Sequence, residues 1–474
     1  MGKLAKYLNI LIFFLVIFLF AFIPLYPKFP LINIEGTFVA IRIEDFLIAL
    51  TVALWGIYII YTSRLRDILR DKLNQVILLF FFVGCVSTFS AIFLTHSVTP
   101  NLSILHFLRR IEFMMLLPVV LSIVTTKKRF IGALIVLALT ILAVNLYALG
   151  QQYLDWPVIS TTNSEFSKGL ILRLSSSSGA RVNSTFAGHY DLAVFLAMVV
   201  TILTGLFFAA KLRFRLPILL LGGLSLVVLI MTAARQSFLA AFIGMILSLV
   251  LSKKKKYIFI FLVLIAFILI YPSQLRDRFI STFTVNVLNL GQRYQGKTED
   301  QQKRAKLNIP TLAIKTSSTS AETSTFASNS GKIATDITPG EPINTTQLGV
   351  YRSLQIRLQI EWPRAINAFL KNPLLGTGYS SIEIATDNDF LRSLGEVGFL
   401  GTFAFVLVLV EIVKRIYVLL AHGSKLVRYF SAGVLSMLIV FLVNGVFIDV
   451  FEASKVAALF WMILGLSLAA KDLR

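Results

Sequence analysis

The chain has 474 residues, of which 57% are hydrophobic, 40 are phenylalanine and only 15% are charged, a balance that excludes a water-soluble domain. Its formal charge of +21 would suit nucleic acid in a soluble protein, but between apolar stretches it is a statement about topology, and nucleic acid is not expected as a partner. The one cysteine, Cys85, lies inside an apolar stretch, which excludes disulfides and thiolate metal sites.

Twelve stretches are long and apolar enough to cross a hydrocarbon core as helices, near residues 8–27, 44–62, 74–95, 111–126, 130–149, 187–210, 216–232, 235–251, 257–272, 397–413, 427–448 and 453–470. The expected fold is therefore an all-α polytopic membrane protein of about twelve transmembrane helices. Lys3 and Lys6 before the first stretch resemble a signal peptide, but no small-x-small cleavage site follows, and Pro24, Tyr26 and Pro27 do. It is kept as a span.

Orientation follows from basic residues in short connections. With the N-terminus inside, the inner segments hold 22 Lys and Arg, whereas the short outer ones hold 9. Both termini are thus expected in the cytoplasm, with the protein multi-pass in the cytoplasmic (inner) membrane. Residues 1–272 form the first nine spans, with an outer loop at about 150–186; residues 273–395 form one large extracytoplasmic loop, and 396–474 the last three spans. Within the large loop, 316–346 is rich in Ser, Thr, Ala and Asn and is expected to stay disordered. Residues 350–395 regain pattern. There Trp362, Ile366, Phe369 and Leu370 fall on one helical face, and Pro363 either starts a helix or kinks a longer one from about Ser353.

The residues able to carry chemistry gather at outer ends. Arg109, Arg110 and Glu112 enter the fourth span, most simply as an Arg–Glu packing pair. Arg181 and His189 close the first outer loop at the mouth of the sixth span; a histidine there is more often an interfacial polar group than a ligand. Arg235 opens the eighth span in TAARQSFLAAF, where a helix N-terminus already favours an anion and a guanidinium would reinforce it. Its bland alternative is an interfacial arginine reaching to headgroup phosphate. Arg352 and Arg357 precede the loop helix. Asp387, Asn388 and Asp389 are either an N-cap or a base beside cationic residues. Two aspartates among so many arginines make no convincing metal cage, and no nucleotide-binding loop or dinucleotide fingerprint occurs. No metal or other cofactor is expected.

Three segments together resemble the O-antigen ligase/polymerase superfamily of bacterial membrane glycosyltransferases: TAARQSFLAAFIG, RLQIEWPRAINAFLKNPLLGTGY and DNDFLRSLGEVGFLG. RVNSTFAGHYDLAVFL is a weaker echo of a further element of that family. The resemblance covers residues 181–401 and implies a GT-C-like fold. It also implies transfer of a glycan from a polyprenyl-pyrophosphate donor to an acceptor hydroxyl, on a glycan or lipid-linked acceptor, at the outer face of the bilayer, without metal and with inversion. Under it, Arg235 and Arg357 hold the pyrophosphate, and Asp387 stands where ligases of the family carry histidine and takes the acceptor's proton. Arg181, Arg352, His189, Asn388, Trp362 and Glu396 are carried over as substrate-binding, with Glu361 and Glu396 as fallback bases. An ordinary carboxylate, near pKa ~4, is a weaker base than imidazole, which leaves polymerase and ligase both open. The alternative is a polytopic exporter or flippase, which would place ionisable residues along a path through several spans.

Overall fold

The computed structural model describes residues 2–27, 29, 31–34, 40–158, 173–174, 181–270, 273, 275–277, 279–280, 333–334, 356–382 and 385–472. In chain order its main helices are α1 (Lys3–Leu25), α2 (Ile43–Tyr61), the short α3 (Leu65–Arg70), α4 (Lys72–Phe89), α5 (Pro100–Ile123), α6 (Lys127–Tyr153), α7 (His189–Ala209), α8 (Leu212–Met231), α9 (Arg235–Leu251), α10 (Ile258–Ile270), α11 (Trp362–Lys371), α12 (Asp389–His422), α13 (Lys425–Asn444) and α14 (Ser454–Ala469). A π turn, Ser90–Leu94, extends α4. The short strands β1 (Ile32–Asn33) and β2 (Ala40–Ile41) pair antiparallel in the connection from α1 to α2.

A helix stands at each of the twelve expected stretches. Length and composition alone suffice for membrane crossing in seven, namely α1, α2, α4 with its π turn, α6, α7, α8 and α13, while α9 and α14 are shorter apolar helices. Helix α10 has 13 residues, about 20 Å, and α5 is interrupted by Arg109, Arg110 and Glu112. The chain is a multi-pass membrane protein. The Ser/Thr-rich tract 316–346 lies outside the described residues apart from Ile333 and Ala334.

Helices α7, α13 and α14 form the centre. All sixteen residues of α14 are buried, and most of α7 and α13 is too. A helix apolar on every side has no amphipathic stripe to orient it, so it sits where protein surrounds it. Small residues bring these axes together. A Cβ at Gly205 of α7 would meet the Tyr429 carbonyl of α13 at 2.4 Å, and one at Gly465 of α14 would meet the Leu117 carbonyl of α5 at 2.6 Å. The outer helices turn apolar side chains such as Phe14, Ile135, Leu212 and Phe259 outward, as a lipid-facing surface requires.

Two details left open by the sequence are settled here, and one expectation is corrected. The helix α11 buries Ala365 and Ala368, while Ile366 and Leu370, on the face that the periodicity marks, are exposed. The reason is α12: a Cβ on Gly395 would lie 2.9 Å from the Ala365 carbonyl oxygen and 3.3 Å from the Ala368 methyl, so only small residues fit there. Pro363 stands in the first turn of α11, as a helix start would have it, and a π turn, Arg357–Glu361, leads into that helix, the wider turn absorbing the backbone bond that proline cannot donate. Finally, neither Arg109 nor Arg110 makes its close ion pair with Glu112, although Arg109 remains an electrostatic neighbour of that carboxylate. Arg109 pairs with Asp45 at 3.5 Å and Arg110 with Glu452, because both lie within α5 and point to neighbouring elements.

Candidate active site

The site begins with a carboxylate held in an unusual backbone conformation. Asp387 has φ +48°, a region that few residues other than glycine, asparagine and aspartate adopt readily. Both flanking amides explain it: Thr386 N donates to Asp449 Oδ2 at 2.8 Å and Asn388 N to Asp449 Oδ1 at 3.2 Å. Asp449, between α13 and α14, thus pins the turn from both sides and leaves the Asp387 side chain standing out of it. Asn388 is the N-cap of α12, its Oδ1 accepting from Phe390 N and Leu391 N at 3.1 and 3.0 Å. Its side chain is therefore used in capping. Asp389, buried beneath, accepts from Val450 N at 2.8 Å and ties the same turn to the α13–α14 connection.

Arg357 reaches Asp387 from the π turn. Its Nε and Nη2 donate to Asp387 Oδ2 at 3.0 and 2.7 Å, and Nη2 also donates to the Phe447 carbonyl at 3.2 Å. Burial pushes Asp387 above the usual carboxylate range; Arg357 opposes that, and Asp449 adds to it. Glu361, one turn on, is pushed up to about 7, first by burial and then by the nearby Asp387 carboxylate. Its Oε2 is buried with no hydrogen-bond partner among the described residues, as is the Nε1 of Trp362 beside it.

Two further cations meet this pair. Arg235 is the first residue of α9, entered through Ala233 at φ +52°, and its electrostatic neighbours are Tyr190, Arg357 and Arg181. Arg181 lies 2.6 Å from His189 through Nη1 and Nε2, and His189 is the first residue of α7. Residues from four parts of the sequence therefore converge: Arg181 with His189, Arg235, Arg357 with Glu361 and Trp362, and Asp387. Arg352 lies outside the described residues.

Glu396 is elsewhere. It is buried in α12, 3.3 Å from Arg392 Nε, and accepts from Ser380 N at 3.3 Å. Arg392 continues to Asp449 at 2.7 Å, and Arg110 joins through Glu452. Burial alone would raise Glu452, but Arg110 and Arg392 outweigh it and hold that carboxylate at about 2. This network lies behind the site and braces it. Asp449, Arg392 and Phe447 were not singled out from the sequence; the signal was there in FIDVFE (447–452), two acidic residues breaking an otherwise apolar C-terminal run.

A second brace is backbone. Segments 373–378 and 395–400 cross with Thr377 N on the Gly395 carbonyl, Gly378 N on the Glu396 carbonyl, Phe399 N on the Pro373 carbonyl and Leu400 N on the Leu374 carbonyl, at 2.8–3.1 Å. At the crossing Gly376 and Gly398 have φ +72° and +65°, and a Cβ on Gly398 would sit 2.4 Å from the Leu374 carbonyl oxygen. Gly398 also breaks α12 in two, so that the turns carrying Asp389 to Val397 belong to the site and the remainder to the bundle. Among the described residues no group of three His, Cys, Asp or Glu side chains is placed to hold a metal ion.

Residues 218–406 match the family model described as O-antigen ligase. The match is under half of the chain. It contains Arg235, Arg357, Glu361 and Asp387, and leaves Arg181 and His189 to its N-terminal side. No curated protein matches the chain.

Proposed function

We propose that this chain, a member of the O-antigen ligase/polymerase superfamily through residues 218–406, transfers a glycan from a polyprenyl-pyrophosphate donor to an acceptor hydroxyl at the outer face of the cytoplasmic membrane. The observation that carries the reading is the Arg357–Asp387 ion pair standing beside Arg235 and Arg181. One carboxylate able to take a proton, next to several guanidiniums able to hold a pyrophosphate, is what metal-free displacement of that leaving group needs.

The acceptor oxygen attacks the anomeric carbon from the face opposite the leaving group. As the new carbon–oxygen bond forms, the bond from that carbon to the pyrophosphate oxygen breaks, and the anomeric configuration inverts. The hydroxyl proton passes to Asp387, whose Oδ1 is not engaged by Arg357. Burial helps, since a carboxylate pushed upward is a stronger base than an exposed one. Negative charge grows on the departing polyprenyl pyrophosphate, where Arg235, Arg357 and Arg181 meet it. Protonated Asp387 holds Arg357 less strongly, so that guanidinium becomes available as the leaving group's charge develops. Trp362 Nε1 and the His189 ring would orient sugar oxygens. Glu361 is the second proton acceptor of the site.

The test uses the native host. Arg357→Ala and Arg235→Ala should each abolish extended surface glycan at unchanged protein level, and purified protein should fail to join a polyprenyl-pyrophosphate glycan to its acceptor. Unchanged glycan in both variants would overturn the reading. Normal transfer chemistry elsewhere, with lipid-linked glycan retained on the inner leaflet of the variants, would favour an exporter instead.

A further inference from the structure

We propose that a cavity of about 800 Å³ between α6, α7 and α8 binds one anionic phospholipid, its acyl chains inside and its headgroup on Lys127, Lys211, Arg213 and Lys425. The volume is in the range of ~300–1,000 Å³ common for bound small molecules. Its opening follows from how α8 is fastened. Asn145 Nδ2 of α6 donates to Ser225 Oγ of α8 at 2.8 Å, a buried bond that pins the two helices about two thirds of the way along each. The cavity's α6 and α8 lining, Lys127 to Ile141 and Arg213 to Leu221, lies on the Lys127 and Lys211 side of that bond. The floor is α7, at Val199, Ile202 and Leu206.

Two observations identify the occupant. The buried residues of α8 are Ser225, Val228 and Leu229, so its half from Leu212 to Leu224 keeps apolar surface that the described residues leave uncovered. Acyl chains would cover it. The four cations come from connections far apart in sequence yet end at one rim, and none of the described residues lining the cavity is acidic. An anionic headgroup matches that rim; a zwitterionic one gains little from it. The rim is also distant from the candidate active site. Helix α7 has His189 at one end and Ala209, a cavity residue, at the other, and its 21 residues span about 30 Å, one hydrocarbon thickness. The headgroup therefore belongs to the leaflet opposite the donor's pyrophosphate.

The full-length protein, purified from nanodiscs of phosphatidylglycerol and phosphatidylethanolamine in equal parts, is examined by native mass spectrometry. Phosphatidylglycerol should be retained over phosphatidylethanolamine by about tenfold, given how strongly basic side chains near a bilayer favour anionic lipid. The combined variant Lys127→Gln, Lys211→Gln, Arg213→Gln and Lys425→Gln should lose that preference. Leu206→Trp, which fills the cavity and keeps the rim, should lose the retained lipid. Retention in the bulk proportion, or a preference that survives removal of the four cations, overturns the proposal, as does preferential retention of added polyprenyl phosphate. Glycan transfer is not read in this experiment, so its outcome is independent of the proposed activity.

Discussion

An ion pair can hold a catalytic group still or hold it back, and under the proposed reaction the Arg357–Asp387 pair would do both. With the Asp387 side chain 30% exposed and that of Arg357 8% exposed, the pair is worth well under what a fully buried one would be. Under the proposed reaction its value is in transfer rather than stability. Arg357→Ala should lower the transfer rate about 10²–10³-fold, the usual cost of one charge-stabilising donor. Arg357→Lys should recover little, because an ammonium cannot offer two N–H groups to one carboxylate oxygen and a third contact to the Phe447 carbonyl. Single-turnover transfer with a purified lipid-linked donor reads both. Glu361 supplies a pH signature. Its carboxyl is raised from 4.5 to about 7 in the folded protein, so the native state binds a proton that the unfolded chain has released over that interval. Its stabilisation is full below pH ~4.5 and is lost as pH rises through about 7. Glu361→Gln, which cannot ionise, should therefore raise the melting temperature at pH 8 relative to the parent and leave it unchanged at pH 4. The gain corresponds to about 2 kcal/mol once screening is discounted. Equal melting shifts at the two pH values would show that Glu361 is not raised.

At the scale of elements, the site depends on two crossings that side-chain chemistry alone does not reveal. The first is the glycine crossing of 373–378 with 395–400. Gly398→Ala would force a Cβ into the Leu374 carbonyl at a backbone conformation unsuited to alanine, and should cost roughly 2–4 kcal/mol, seen as loss of monodisperse protein in detergent. Gly132→Ala on α6, with nothing within 4 Å of its Cβ, is the control and should gain up to about 1 kcal/mol from helix propensity. The second crossing is Asp449 under the Asp387 turn. Asp449→Ala removes the acceptor of two amides and the closest partner of Arg392, which has Glu396 and Glu452 left. It should cost about 3 kcal/mol and reduce transfer although Asp449 is not placed to touch substrate. What the sequence made legible follows from this. Spans could be read because apolar runs declare themselves, and Arg235, Arg357 and Asp387 because they sit in recognisable motifs at helix starts. The buried face of α11 could not, since Ala365 and Ala368 matter only through Gly395 opposite them. Asp449 and Glu452 showed in FIDVFE as acidic residues between the last two spans, but what they hold did not, and the partner of Arg109 was hidden by the long sequence separation of Asp45.

The whole molecule sets a charge asymmetry against a site asymmetry. Arg181, Arg235, Arg357 and Asp387 gather at the His189 end of α7, and Lys127, Lys211, Arg213 and Lys425 at its Ala209 end. If basic short connections face the cytoplasm, the cavity rim is cytoplasmic and the site is on the far side, where lipid-linked glycans would be met after crossing. The two ends of α6 test this, since Lys127–Tyr153 runs from rim to site: Gln151 hydrogen-bonds to Ser184, three residues beyond Arg181. In a Cys85→Ser background, Lys128→Cys and Leu154→Cys place one thiol at each exposed end of that helix. A membrane-impermeant maleimide added to intact spheroplasts should label the cysteine at 154 and spare that at 128, and permeabilisation should make both reactive. The reverse pattern would put the arginine cluster in the cytoplasm, where it would face donors before they cross. That result would end the case for glycan transfer at the outer face even if the residue-level chemistry held, because the orientation of the bundle, and not the site's geometry, decides which leaflet supplies the substrate.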